Sequence, residues 1–346
     1  MASPKTVRLS IAAAMTLGLR SGKFYRNARL GCINLLMEYD HGCLANCLYC
    51  GQAREVSNRA ECKRLIRVEW PSYPLSVVTK AIRTASLKDP FIQRVCLSTL
   101  TSPSAPEDLV KMVKKVKGDT LCRVSVLITP TSFEKRDLVN IKAAGVENIT
   151  IAVDTATPEL FDKFRGTGAK GPHQWNRYTN GVKEAVEVMG NGKYSVGVHL
   201  IIGLGETEEE AVGFIQTCYD VGSRVHLFSY YPENGTSLDD RSQPPMEQYR
   251  RVQLARHIID HKQSRFETMR FKAGRLTDFG LPITKISALV REGKAFMTTG
   301  CPGCNRPYAN ETPSQAMQGL FRNYPFPPDP KDIKMIEKQM GMPISK

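Results

Sequence analysis

Three cysteines fall within eight residues, in the order Cys43-Leu-Ala-Asn-Cys47-Leu-Tyr-Cys50. Thiolates are soft ligands, and three of them on one loop can hold three irons of a [4Fe–4S] cube. No fourth cysteine follows at a matching spacing, so one iron of such a cube stays open to a small molecule. Two plainer readings stand beside this one: three buried free thiols, or part of a zinc site. Zinc takes four ligands, usually as two paired knuckles, and three plus one fits it poorly.

The chain holds ten cysteines in 346 residues. They are too sparse and too unevenly spaced for a disulfide scaffold, which points to a reducing, cytoplasmic setting where thiols stay available as ligands. Cys301-Pro-Gly-Cys304 is a second pair, and by itself it reads as half a zinc knuckle or a reversible dithiol. Of the histidines, His257 and His261 lie four apart on a helical stretch and read as a solvated face. Lys and Arg outnumber Asp and Glu 48 to 34, a formal charge of +14. That excess is dispersed, without a run of five basic residues, so a nucleic-acid-binding arm is not expected; it reads either as a solvated surface or as one prepared for an acidic carrier protein or electron donor. No apolar run approaches the ~20 residues of a membrane span.

These residues need a frame to position them. Apolar runs alternate with helical patterns. The runs predict strands at Ile33–Tyr39, Ile92–Thr99, Cys122–Ile128, Asn148–Asp154, Ser195–Ile202, Val225–Tyr231, Thr268–Ala273 and Lys294–Thr299. Helices are expected near 75–87, 105–116, 133–144, 174–189, 206–221, 244–263 and 281–292. Strands this apolar, separated by helices, predict an α/β fold, a (β/α)8 TIM-type barrel, full or slightly open; a doubly wound open sheet is the runner-up. Residues 1–31 read as an N-terminal helical extension, 32–300 as the barrel and 301–346 as a cysteine-containing segment and tail. In such a barrel chemistry gathers at the C-terminal ends of the strands. That rule puts the Cys43 loop, Asp154, Gly203–Glu206 and Cys301 on one rim, and Cys32 at the opposite end.

The cysteine loop, with Tyr49 before its last cysteine, resembles the signature of the radical S-adenosylmethionine (SAM) enzymes, and within them the biotin-synthase and lipoyl-synthase type. Tyr49-Cys50-Gly51-Gln52, Val153-Asp154-Thr155, Ile202-Gly203-Leu204-Gly205-Glu206-Thr207 and Arg270-Phe271-Lys272-Ala273-Gly274-Arg275 resemble further segments of that group. The resemblance implies that Cys43, Cys47 and Cys50 are the catalytic and metal-ligating residues of a [4Fe–4S] cluster. It assigns Tyr49, Asp154, Ile201, Gly203 and Glu206 to SAM, and Arg270 to the barrel lumen near the substrate. It further implies a second, auxiliary [4Fe–4S] cluster on Cys301 and Cys304, with Cys62 as a third ligand. Cys96 and Cys122 stand where biotin synthase has two ligands of its [2Fe–2S] cluster, but Gly197 falls on the third position and Ala152 replaces an asparagine. On that ground Cys96 and Cys122 read as buried small hydrophobes.

Gly300-Cys301-Pro-Gly-Cys304-Asn-Arg-Pro-Tyr308 is similar to a C-terminal motif of the two-subunit lipoyl synthases. That resemblance implies a sulfurtransferase acting on an octanoyl chain of an acidic lipoyl carrier domain. It also implies a second radical SAM subunit and a ferredoxin or flavodoxin electron donor. The alternatives are another enzyme of the same group (biotin synthase-like, carbon-skeleton rearranging or tRNA-modifying) and a zinc-stabilised binding module using Cys43, Cys47, Cys50 and Cys301 or Cys304.

Overall fold

Val124, Val126 and Ile128 alternate along one apolar run and are all buried. A strand covered on both faces needs such a run, and six of them here pair in parallel. The structure is a computed structural model that describes residues 2–56, 64–65, 68–190, 195–307, 309–311 and 313–341. The parallel strands are β2 (Cys32–Leu36), β4 (Arg94–Ser98), β5 (Arg123–Ile128), β6 (Val146–Asp154), β7 (Val196–Ile202) and β8 (Arg224–Ser229). Two antiparallel strands, β1 (Thr6–Leu9) and β3 (Ser72–Pro74), extend the sheet to the order β8-β7-β6-β5-β4-β2-β1-β3. The expected α/β barrel is therefore present in a partial form.

Amphipathic helices cover the outer face. In the helix Ala105–Asp119, Leu109, Met112, Val113 and Val116 recur at helical spacing and are buried. The helix Glu208–Asp220 starts on a capping box in which Thr207 and Glu210 exchange side-chain bonds, with Glu208 and Glu209 also at its positive N-terminal end.

The expected seventh and eighth barrel strands are absent from the sheet. Ala273 and Gly274 adopt φ of 48° and 75°, the geometry of a two-residue turn that reverses the chain. Thus β9 (Arg270–Lys272) folds back on β10 (Arg275–Asp278) as a separate antiparallel hairpin. Residues Lys294–Phe296 form a single 3-10 turn instead of a strand. The exposed edge of β8 is capped by side chains: Leu227 N donates to Thr299 Oγ1 at 3.2 Å, Ser229 N donates to Asn310 Oδ1 at 3.0 Å, and Asn323 Nδ2 donates to Leu227 O at 3.2 Å. Those contacts satisfy an edge that a closed barrel would pair. The N-terminal extension is likewise more than a helix, since β1 precedes the short helix Ile11–Thr16.

Candidate active site

The cysteine loop leaves β2 and is pinned by backbone bonds. Leu44 N donates to Thr101 O at 3.0 Å, Leu48 N to Phe164 O at 3.0 Å, and Arg54 N to Ala45 O at 2.8 Å. Asn46 adds two side-chain ties: Nδ2 donates to Ala169 O at 2.7 Å, and Oδ1 accepts from Glu55 N at 3.0 Å. So held, Cys43, Cys47 and Cys50 line one lumen cavity of about 190 Å³. Burial pushes the Cys47 and Cys50 thiols up, while the Arg165 charge draws Cys47 down. A thiol in that environment needs a bound cation to stabilise its thiolate. Among the described residues no three His, Cys, Asp or Glu side chains converge on a single ion.

Asp154, at the end of β6, reaches the same cavity with φ of 69°. Its Oδ2 accepts a 2.7 Å hydrogen bond from Tyr49 Oη and lies 3.1 Å from Arg165 Nη1. Arg165 closes the helix Pro158–Arg165 and also donates to Val153 O at 2.6 Å and to Ala152 O. Both contacts to Asp154 fall on Oδ2, so Oδ1 keeps its acceptor capacity. Burial, reinforced by the Asp154 charge, holds the Tyr49 phenol well above its ordinary value, opposed by Arg165; it acts as a donor.

The turn after β7 is built by glycine and a folded-back carboxylate. Gly203 has φ of 111°, and a Cβ there would come within 2.7 Å of the Pro244 ring. Glu206 accepts from Gly203 N at 2.6 Å and from Leu204 N at 3.0 Å. Gly203 and Glu206 therefore shape the turn and are not among the residues lining the cavity, whereas Ile201 and Tyr49 are. His199 lines it too, kept well below the usual histidine range by burial and so neutral.

Three expectations change. Arg270 does not face the lumen: its side chain is 83% exposed on the β9–β10 hairpin. Cys301 and Cys304 do not join the catalytic rim. They lie under the N-terminal ends of the strands, where Arg94 Nε donates to Pro302 O at 2.7 Å and Gly31 N donates to Asn305 Oδ1 at 3.0 Å. His257 is buried where a solvated face was expected. Cys62 lies outside the described residues. Cys122 packs in the core as expected, with Sγ 3.8 Å from Ile92 O. Gly197 is required by its neighbours, because a Cβ there would strike the His226 ring and come within 2.8 Å of Thr150 Oγ1.

Sequence reasoning missed Arg165. The signal was available: it lies four residues after Phe161, on the face that Phe161 and Phe164 bury, and a guanidinium there needs an acid.

The donor set fits the group the loop implies: three thiols on one fixed loop, and a carboxylate, a phenol and an apolar Ile201 in the same cavity for a nucleoside. Comparison with known proteins agrees. The chain is 25% identical over 202 residues to biotin synthase of Erythrobacter litoralis (strain HTCC2594), covering 58% of this chain and 54% of that protein. It is 25% identical over 240 residues to biotin synthase of Cytophaga hutchinsonii, covering 68% and 64%. The matched region thus spans only about half to two-thirds of those relatives' own length. HydG, a maturase of the [FeFe]-hydrogenase, shares the fold at 13% identity, with a TM-score of 0.50 over 95% of this chain and 79% of that one. The family model of the radical SAM superfamily matches residues 37–218, more than half of the chain and the whole stretch from the cysteine loop through β7, and the chain belongs to that superfamily.

Proposed function

We propose that this radical SAM enzyme inserts sulfur into an unactivated C–H bond of an octanoyl chain, carried on a lipoyl domain, as one subunit of a two-subunit lipoyl synthase. When bound, a [4Fe–4S] cluster with SAM would supply the radical chemistry that abstracts hydrogen from an unactivated C–H bond. Cys43, Cys47 and Cys50 would hold three of the cluster's four irons. Tyr49 and Arg165 orient the Asp154 carboxylate, and the Gly203–Glu206 turn positions Ile201 beside it.

The observation that carries the substrate class is a second cavity, of about 220 Å³, walled by Ile11, Met15, Phe24, Leu30 and Val68. It adjoins the catalytic cavity at Trp70 and Arg306, which line both. An apolar recess beside a radical site suits an acyl chain, whose methylenes gain about 0.8 kcal/mol each on burial. The charge of +14 suits an acidic carrier domain and an acidic ferredoxin or flavodoxin through steering. Two features count against a biotin-type auxiliary cluster: Gly197 has no thiol and Arg270 points to solvent.

The test is anaerobic turnover of the reconstituted protein, alone and with a second radical SAM subunit, on an octanoyl-lysyl carrier domain with SAM and a reductant. Thiolated octanoyl product together with 5′-deoxyadenosine supports the reading. Deoxyadenosine formed at the same rate with and without the carrier, and no thiolated product, overturns it.

A further inference from the structure

Four cysteines from three separate stretches of chain meet at the N-terminal end of the lumen. Cys32 opens β2, opposite Arg94 of β4, and Cys96 lies two residues beyond Arg94, opposite Asn34 on one side and Ser125 on the other. Residues two apart on a strand share a face, so Cys32 and Cys96 belong to the same side of the sheet. Cys301 and Cys304 come from the segment pinned below, in a tight turn where Cys304 N donates to Cys301 O at 2.9 Å. The Cys301 thiol reaches Thr150 Oγ1 of β6 at 3.8 Å. The Cys304 and Cys32 thiols lie close enough for the charge of one to act on the other. Cys96 is close enough to Cys301 and Cys304 for their charges to act on it. Ser125 Oγ sits beside Cys96 and Cys301, buried and without a hydrogen bond of good geometry.

The surroundings are those of an anion. Arg94 is 1% exposed, and its nearest carboxylate, Glu147, lies 3.7 Å away and is itself 43% exposed. Its other partners are neutral: Asn148 Oδ1 at 2.7 Å and Pro302 O. A guanidinium buried this deeply calls for negative charge beside it. The Arg94 and Arg306 charges both act on Cys304. Four neutral thiols would leave Arg94 with only the half-exposed Glu147 carboxylate, whereas a thiolate-bound cluster would add negative charge beside it. None of the four is in a disulfide.

We propose that Cys32, Cys96, Cys301 and Cys304 hold a second iron–sulfur cluster at the N-terminal end of the barrel lumen, beneath the radical site. Cys301 and Cys304 thus act with two strand cysteines from the same barrel end. Cys96, which the sequence reads as a packing residue, is a ligand. The site deepens the sulfur-insertion reading, yet it stands on thiol geometry and does not depend on the substrate being an octanoyl chain.

The test isolates the site. The variant Cys43→Ala/Cys47→Ala/Cys50→Ala, reconstituted anaerobically with iron and sulfide, should retain about two or about four irons per chain, with matching sulfide and a cluster signature by Mössbauer spectroscopy. Adding Cys32→Ser or Cys96→Ser should reduce that iron at least several-fold, and adding Cys122→Ser or Cys218→Ser should not. In the otherwise wild-type chain, Cys96→Ser should keep the first cluster's SAM-responsive EPR signal, which reports an intact barrel, and lose the second component. A triple variant that binds no iron, one that binds zinc instead, or iron indifferent to Cys32→Ser and Cys96→Ser would each overturn the site. If two clusters form and carrier turnover still fails, the substrate reading falls and the site stands.

Discussion

The Tyr49 hydroxyl donates a 2.7 Å hydrogen bond to the Asp154 carboxylate, joining the cysteine loop to the end of β6 across 105 positions of sequence. One bond therefore couples the segment that carries the cluster to the residue assigned to the cofactor. Arg165 holds the same carboxylate oxygen from the other element, the helix that follows β6.

Tyr49→Phe removes the donor and little volume. A hydrogen bond to a charged group is worth about 1.5–3 kcal/mol, so SAM affinity should fall about tenfold or more. Iron content should stay at the wild-type level, because no thiol is touched. Equilibrium binding of SAM to the reconstituted variant, set beside its iron count, checks both halves; unchanged affinity would show that the bond is not coupled to the cofactor.

Glu206→Gln addresses the turn after β7. The carboxylate accepts from two backbone N–H groups, and a glutamine presents an amide donor to one of them. The variant should lose about 1–3 kcal/mol of stability and bind SAM more weakly, with the cluster retained. Denaturant unfolding and SAM titration on one preparation measure the two effects. A variant as stable as the wild type would mean that the turn does not rely on this side chain.

The six parallel strands were legible because each carries a run of buried β-branched and other apolar residues, the mark of a strand covered on both faces. The last two were not. Arg270–Ala273 has the composition of a strand, but the Ala273-Gly274 turn that reverses it is a local signal the apolar pattern overrides. That difference reaches the site. With no seventh or eighth strand, Thr299, Asn310 and Asn323 cap the β8 edge, and Cys301 and Cys304 arrive at the opposite end from the one a complete barrel would give them. The Cys43 loop was legible because its ligands are local in sequence. The meeting of Cys32, Cys96, Cys301 and Cys304 was not, because it depends on how the chain crosses the barrel.

Gly197→Ala should destabilise the fold by about 1–3 kcal/mol, since the added methyl strikes the His226 ring and Thr150. His226→Ala alone should also cost stability through the cavity it leaves. The two together should cost less than their sum, because each removes the other's clash or void. Urea unfolding of the single and double variants gives the coupling energy. Strict additivity would show that the two side chains do not compete for the same space.

His257 provides the pH dependence. It is buried in the helix Met246–Asp260, with its ring centroid 4.1 Å from that of His261. Burial, then the charges of Arg256 and His261, push its pKa from 6.5 down to about 3. The folded protein therefore refuses a proton that the unfolded chain accepts below about 6.5. The stability it contributes is complete above that pH and is lost as the pH falls toward 3, with a slope of at most about 1.4 kcal/mol per pH unit. His257→Gln cannot titrate, so its unfolding free energy should fall less steeply than that of the wild type between pH 6.5 and 4. Denaturant titrations across that range, with both proteins in the same cluster state, compare the slopes; equal slopes would show that His257 is not held neutral in the folded chain.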